Sequence, residues 1–314
     1  EIVLNLTPFE QQYNENRPFF TEGVDLFQKG DLVYTRRIGG EPSYYPPLAD
    51  NEIINDYPNT VPLINGVKLS GRTNDGLGIG FANAITAKTS AEVTNTDTNE
   101  TSSIVVEPVT NYNVLVLDQR LRKNSSISFV NTNVTRDGLF RDANVTALVF
   151  DLNTKENTFA LEGDYKYSFV NEYGNEENKQ GYNTFLNFAK TSQKFRFGLG
   201  AKYVSQDYDP NDLGINFQTH YHAYNGNISF RTLEPTKVFN NINSTISYYS
   251  EFDNITSKIQ ANSLSANINF TTVQNDSFNF YLNTRPTEIY NFYEPRSIDD
   301  SKYFIEPKFI GGQF

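Results

Sequence analysis

Phe159-Ala160-Leu161-Glu162-Gly163-Asp164-Tyr165-Lys166-Tyr167-Ser168-Phe169 reads with a period of two. Phe159, Leu161, Tyr165, Tyr167 and Phe169 alternate with Ala160, Glu162, Asp164, Lys166 and Ser168. A β-strand turns successive side chains to opposite faces, so this stretch has one aromatic face and one charged face. The charges suit a wet interior and the aromatics suit lipid or a membrane interface. A secreted β-sandwich or propeller is the soluble rival on composition.

The same alternation recurs on both sides. Phe195, Phe197, Leu199, Ala201 and Tyr203 alternate with Lys194, Arg196, Gly198, Gly200 and Lys202. Further on, Leu264, Ala266, Ile268 and Phe270 alternate with Ser263, Ser265, Asn267 and Asn269. About a dozen such segments lie between Gly66 and Asn283, each of the length expected of a tilted membrane strand. No internal repeat of fixed period is present, which weighs against a propeller.

Composition agrees with a barrel. The 314 residues include 25 Phe and 20 Tyr, yet mean hydropathy is −0.53. Alternation hides an apolar face from any running average, and no apolar run is long enough for a membrane helix. Cys, Met and Trp are absent, which removes disulfides and thiolate chemistry. With no Met at its start, the stretch reads as a mature or internal piece. The net charge of −11 argues against nucleic acid as a partner.

Gly76-Leu77-Gly78-Ile79-Gly80-Phe81-Ala82-Asn83-Ala84-Ile85 sets large apolar residues against glycine and alanine. Such a small-residue face permits either close approach of another element inside the barrel or a sharp bend of the sheet. Long polar connections are expected at Thr89 to Ser103, Asn171 to Gln180 and Asp207 to Asp212. Tight hairpins are expected at Arg136-Asp137-Gly138 and Tyr224-Asn225-Gly226. Long loops on one side and short turns on the other fit outer-membrane topology.

Residues 1–65 differ from the rest. Thr7-Pro8-Phe9-Glu10 has the form of a capping box, predicting a short helix that ends before Pro18. Arg17-Pro18-Phe19-Phe20 reads as a turn, and Glu41-Pro42-Ser43-Tyr44-Tyr45-Pro46-Pro47 cannot hold a ladder. Glu10, Glu15, Glu22, Arg17, Arg36 and Arg37 accompany Phe9, Phe19, Phe20 and Phe27. Residues from Glu1 to about Tyr45, both charged and aromatic, suit a plug in a mixed lumen, within the barrel or across its periplasmic mouth, the rival being a periplasmic linker packed on a further module. Arg17 and Arg37 are expected to fork onto carboxylates such as Glu22 or Glu162. The fold expected is therefore all-β: an antiparallel transmembrane outer-membrane β-barrel over residues 66–314, incomplete at its end, with 1–65 as a plug-like or junction segment. Residues 285–314 hold prolines without clean alternation, so the last strand is expected before about Arg285, and Gly311-Gly312-Gln313 is not expected to be a strand.

Sites of chemistry are scarce. His220 and His222 would share a strand face and offer two metal ligands without a third. Asp207, Asp209 and Asp212 lack the glycine and terminal Glu of a calcium loop and read as a solvated acidic loop. No catalytic triad, P-loop or dinucleotide fingerprint occurs. A carboxylate pair for glycoside hydrolysis is set by space and is open at this point. Asn-x-Ser/Thr triplets such as Asn133-Val134-Thr135 and Asn227-Ile228-Ser229 match chance in so Asn- and Thr-rich a chain. No catalytic residue, metal ligand or cofactor is assigned.

Leu4-Asn5-Leu6-Thr7-Pro8-Phe9-Glu10, Glu15-Asn16-Arg17-Pro18-Phe19-Phe20-Thr21-Glu22-Gly23 and Arg36-Arg37-Ile38-Gly39 resemble an uncharacterised family of Bacteroidota outer-membrane proteins. Gly66-Val67-Lys68-Leu69-Ser70-Gly71-Arg72-Thr73, Asp75-Gly76-Leu77, Asp209-Pro210-Asn211-Asp212-Leu213-Gly214 and Tyr293-Glu294-Pro295-Arg296 continue the resemblance. It implies a C-terminal barrel fused to an N-terminal module like a family-nine carbohydrate-binding domain, which would precede this chain. It also implies further strands after Phe314.

The function expected is an integral protein of the bacterial outer membrane: a receptor, porter or accessory subunit for glycans or their fragments. A structural subunit of a larger outer-membrane assembly and a surface glycoside hydrolase are the rivals. Lipid is the expected partner, with glycans and other outer-membrane proteins beside it. An open lumen favours the first reading, a plugged lumen with a protein-facing flank the second, and a cleft with two close carboxylates the third.

Overall fold

A computed structural model describes residues 11–173, 177–295 and 302–313. The chain is almost all strand. Its strands are β1 (Glu52–Asp56), β2 (Leu63–Arg72), β3 (Leu77–Thr86), β4 (Thr89–Asn95), β5 (Thr101–Glu107), β6 (Thr110–Arg122), β7 (Ser125–Arg136), β8 (Asp142–Asn153) and β9 (Phe159–Asn171). There follow β10 (Lys179–Lys190), β11 (Phe195–Val204), β12 (Tyr221–Arg231), β13 (Phe239–Asp253), β14 (Ile259–Thr272), β15 (Ser277–Arg285), β16 (Ile289–Asn291), β17 (Phe304–Glu306) and β18 (Phe309–Gln313). Thirteen of them form one antiparallel sheet in the order β18-β15-β14-β13-β12-β11-β10-β9-β8-β7-β6-β3-β2. Neighbours in space are neighbours in sequence nearly throughout, the meander expected of a barrel wall. β1, β4 and β5 make a side sheet, and β16 pairs with β17.

The pairing extends the alternation of single strands across the sheet. Leu161 lies opposite Phe188, Phe188 opposite Leu199, and Leu199 opposite Gly226. One face of β9 to β12 thus carries Tyr165, Tyr167, Phe169, Tyr182, Phe188, Leu199, Tyr203 and Ile228, all exposed. The other carries Asp164 and Lys166, joined 3.1 Å apart. The expected split of these residues is what the sheet shows.

The sheet curls around its polar face. Val116 of β6 and Ala223 of β12 belong to one buried cluster. They are six strands apart in the sheet, which would separate them by about 29 Å if the sheet were flat. They meet one cluster because an N-terminal stretch and the connection 205–220 fill the concavity between them. The fold is an all-β antiparallel barrel wall. Among the described residues its edge strands, β2 and β18, pair on one side only.

Several expectations are corrected here. Gln11 to Arg17 are not helical, and Thr7–Glu10 lie outside the described residues. Among the described residues the one α-helical turn is Pro18–Thr21, with extended Arg17 as its N-cap. A residue before proline is pushed out of the helical region, so the helix begins at Pro18 and cannot run into it. Thr89 to Ser103 is no loop, because β4 and β5 pair there as a hairpin. Tyr224-Asn225-Gly226 lies inside β12, where a side chain on Gly226 would stand 3.5 Å from Leu199 Cδ2. That glycine is a strand position opposite Leu199 and no turn. Phe309–Gln313 does pair with β15, Gly311 opposite Asn283, because an edge strand gains its ladder from main-chain groups whatever its side chains. Arg136-Asp137-Gly138 does connect β7 to β8, with Gly138 at φ +90°.

The two rims differ as expected. One carries the connections 73–76, 123–124, 154–158, 191–194, 232–238 and 273–276. The other carries 87–109, 172–178, 205–220 and 286–308, with the short 137–141 and 254–258 between them. β2 starts at this second, long-connection rim.

Candidate functional site: a filled half and an open half of the concavity

Residues 18–38 run down the concave face and back. Leu26 and Phe27 pack against the small-residue face of β3: a side chain on Gly78 would stand 2.9 Å from Leu26 Cδ2, and one on Gly80 3.3 Å from Phe27 Cζ. Phe19 covers Gly66 of β2 in the same way, 3.1 Å from where its Cβ would be. Of the two readings of these glycines, close approach is the one the structure shows. Phe20, Leu26, Phe27, Leu32 and Ile38 join Val114, Val116, Val130, Val134, Val145 and Ala147 of the wall in one core. At the turning point Lys29 reaches Asp118 of β6 at 3.4 Å. Asp118 is also held by Arg72, and Ser128 donates to it at 2.7 Å.

The connection 205–220 is the second filler. Tyr208 and Leu213 are buried, and Tyr34 N donates to Leu213 O at 2.7 Å. Asp212 accepts from Arg136 at 2.8 Å and from Arg141 at 2.8 Å. Arg141 also binds Asp209 at 2.6 Å and Glu172 at 2.8 Å. Glu107 meets Arg136 from β5 at 3.4 Å. Burial by itself would push the Asp209 carboxyl up, but Arg141 beside it outweighs that and holds it below the usual carboxylate range. Arg141 is likewise raised despite its burial, because Asp212 and Asp209 surround it. The expectation of a solvated acidic loop is therefore wrong for Asp209 and Asp212, while Asp207 is exposed. Those two carboxylates are drawn inward by arginines from the β7–β8 region about 70 residues earlier in sequence, a distance at which no local motif exists.

Arg17 pairs with Glu15 at 2.7 Å, and not with Glu22 or Glu162 as expected. It also donates to Ile38 O at 2.7 Å and Thr35 O at 2.8 Å, tying the two limbs of the N-terminal stretch together. Glu162 instead accepts from Asn187 at 2.9 Å. The histidines do not form a pair. His220 precedes β12 at φ +50° and lies 3.5 Å from Asp253, whereas His222 stacks on Phe252. Among the described residues no three candidate ligands come together for a metal.

A cavity of about 1490 Å³ opens at the long-connection rim. Arg36, Arg37 and Tyr34 border it from the N-terminal side, Glu107 from the end of β5, Arg141 from the connection after β7, and Asp212 from the 205–220 filler.

The rest of the wall is of another kind. β12, β13, β14 and β15 carry no charged residue from His222 to Phe230, Phe239 to Ser250, Ala261 to Thr272 or Ser277 to Thr284. Their concave positions include Asn225, Asn227, Asn243, Thr245, Ser263, Asn267, Asn269 and Asn279, amides and hydroxyls standing beside Tyr249 and Tyr281. Asn279 donates to Asn269, and Asn269 to Asn267. Asn225, Asn227, Asn243, Thr245, Ser263 and Asn279 are exposed, and among the described residues no element covers them. This contrast of a filled, charged half and an open, uncharged half was not read from the sequence. The missing signal was the run of charge-free segments after His222.

The fold and this interior define an antiparallel barrel-type β protein with occupied and unoccupied halves. Its whole length, residues 1–314, matches the family described as Domain of unknown function (DUF5916), and the chain belongs to that family. No curated protein matches it. Among solved structures it is similar to the crystal structure of Pseudomonas aeruginosa OccK11 (OpdR), at 12% identity, with 76% of this chain and 69% of that one covered and a TM-score of 0.36. It is also similar to that of Pseudomonas aeruginosa OccK5 (OpdH), at 11% identity, 90% and 75% covered, with a TM-score of 0.35.

Proposed function

We propose that the chain is an integral outer-membrane barrel that admits or captures uncharged hydrophilic solutes, glycan fragments foremost, along the β12–β15 side of its interior. Residues 11–62 act in this reading as a fixed plug over the β2–β9 side. The carrying observation is the charge-free wall of amides and hydroxyls left uncovered beside a packed half. Such groups donate and accept hydrogen bonds as a sugar hydroxyl requires, without the desolvation cost of a buried charge. The membrane reading rests on the convex face. Phe195 to Tyr203 presents five apolar or aromatic positions in a row, and stacked Tyr165, Tyr182 and Tyr203 form a girdle toward one rim. A glycan-binding module and a Bacteroidota source, which the resemblance implies, fit the same solute class.

The cavity does not favour a hydrolase. Asp209, Asp212 and Glu172 are tied to Arg141, and Glu107 to Arg136, so these carboxylates are held as ion pairs. A structural subunit is the second reading, favoured by a polar flank on the convex face.

Liposome swelling tests the proposal. The purified protein is expected to pass small neutral saccharides, and a variant lacking residues 11–45 to pass larger ones. Vesicles that stay impermeable with both proteins, each shown to be folded, would overturn it.

A further inference from the structure

The convex face is not uniform. On β11 its outward residues are Phe195, Phe197, Leu199, Ala201 and Tyr203. They span about 27 Å of strand, enough for the apolar band about 25 Å tall of a membrane barrel. On β6 the outward residues are Asn111, Asn113, Leu115, Leu117 and Gln119, and on β7 Ile127, Phe129, Asn131, Asn133 and Thr135. The apolar run on these two strands is two positions, about 7 Å of strand; on the strands beside them it is three, Leu77, Ile79 and Phe81 on β3 and Leu148, Phe150 and Leu152 on β8, about 14 Å. The asparagines are aligned across strands: Asn83 of β3 lies opposite Asn113, Asn113 opposite Asn133, and Asn133 opposite Asn144 of β8.

The patch is partly wired to itself. Asn83 Nδ2 donates to Asn111 Oδ1 at 2.6 Å and Asn113 Oδ1 at 2.8 Å. Asn131 Nδ2 donates to Asn144 Oδ1 at 3.1 Å and Thr146 Oγ1 at 2.8 Å. Among the described residues, the side-chain amide donors of Asn111, Asn113 and Asn133 are left without a bond. Hydrocarbon cannot satisfy them, so a band this thin is not a lipid-facing surface of the ordinary kind.

We infer that the β3–β6–β7–β8 flank is an interface between two copies of this chain, side by side in the membrane. Three features select a second copy over another partner. Amides donate and accept alike, so the patch is complementary to itself, as a two-fold contact requires. A two-fold axis along the membrane normal keeps depth, so the thin band of one copy meets the thin band of the other without a step. The patch holds no charged residue, which lets two chains of net charge −11 approach where repulsion is least. A contact of this kind buries the free amides against one another and closes the gap in the apolar belt. The inference rests on the membrane reading but not on the solute.

Residues 1–314 hold no Cys, so within them each introduced thiol is unique, and the wild-type protein treated alike is the control. Asn133→Cys and, on the opposite flank, Leu199→Cys are introduced into the full-length protein. Each is treated in native outer membranes with a short bismaleimide. Asn133→Cys is expected to give a species of twice the protomer mass that contains only this protein by mass spectrometry, and Leu199→Cys none. In nanodiscs, Asn113→Leu with Asn133→Leu is expected to lower the dimer fraction about tenfold, the scale of a few interhelical-type polar contacts in a bilayer. A crosslink to a different protein overturns the inference, as does a monomeric wild type. Unchanged dimerisation of the double variant also overturns it. Heat-modifiable migration of each variant reports that it is folded. Recovery in the soluble fraction would instead sink the membrane reading, and is scored separately.

Discussion

Arg141 and Asp212 join the barrel wall to the segment inside it: Arg141 Nε and Nη2 both donate to Asp212 Oδ2, at 3.0 and 2.8 Å. Arg136 takes the other oxygen, at 2.8 Å. The Arg136–Asp212 pair is nearly buried, with 4% and 6% of the side chains exposed. Breaking such a pair by removing one partner typically costs about 3–5 kcal/mol, because the remaining charge is stranded. Asp212→Ala is therefore expected to free the 205–220 connection and widen the cavity. Single-channel recording should show larger and noisier conductance than wild type, and protease should cut near Gly214. Quiet, wild-type currents together with a resistant connection would show that the clamp is not what holds it.

The glycines of β3 give a second prediction. Gly80 leaves 3.3 Å between an added Cβ and Leu26 Cβ or Phe27 Cζ. Gly80→Val overfills that contact, and overpacking costs about 1–3 kcal/mol. Residues 18–38 are expected to lose their seat while the wall persists. Hydrogen exchange should quicken in Phe20 to Ile38 and stay slow in β9 to β11. Exchange rising equally in both would argue that the stretch and the wall unfold as one body.

How far the sequence carries depends on the range of the interaction. Phe195 to Tyr203 declares its two faces within nine residues, and the structure places them as alternation predicts. The small-residue face at Gly78 and Gly80 pointed to a close neighbour but could not say which, since Leu26 and Phe27 are some 50 residues away in sequence. Asp209 and Asp212 look solvated in isolation because their arginines lie about 70 residues earlier. Gly226 looks like a turn because the pairing that keeps it in a strand, opposite Leu199, is with another part of the chain. The N-terminal capping box lies outside the described residues, and the conformation of Gln11 to Thr21 is governed by Pro18 and by the Arg17–Glu15 pair.

That pair carries a pH dependence. The hydrogen bond from Arg17 holds the Glu15 carboxyl down at about 2, from 4.5 for a free glutamate, with Thr35 adding to the effect against burial. A carboxylate depressed in the folded state stabilises the fold fully above its unfolded pKa, and the contribution is lost as pH falls through the folded value. Cohesion of residues 11–38 is thus expected to be constant above about pH 5 and to weaken between about pH 4.5 and 2. Arg17 is partly exposed, so salt should weaken the pair too. Proteolysis by pepsin across this range checks it: cleavage near Phe19 and Phe20 should rise below pH 4.5 in wild type. In Glu15→Gln it should be high throughout. A wild type as labile at pH 4.5 as at pH 2 would rule the pair out as the anchor.

Leu199 and Asn227 provide the sharpest test of the membrane reading, because they lie on adjacent strands and face opposite ways. Leu199 sits midway between Phe195 and Tyr203 on the convex face, 60% exposed, opposite Phe188 and Gly226. Asn227 is opposite Gly198 and faces the concave, uncharged wall. Arginine at the midplane of a lipid-facing strand costs about 2–4 kcal/mol, falling toward zero near the interfaces. Leu199→Arg is therefore expected to destabilise the refolded barrel by about that amount in phospholipid vesicles, measured by guanidine titration of tyrosine fluorescence. Phe195→Arg, near the rim, should cost less. Asn227→Arg should leave stability nearly unchanged, because water reaches the concave side. It should also turn a passage indifferent to charge into one that favours anions. Equal costs at Leu199 and Asn227 would mean that both faces meet water, and the convex aromatics would then need a protein partner in place of lipid.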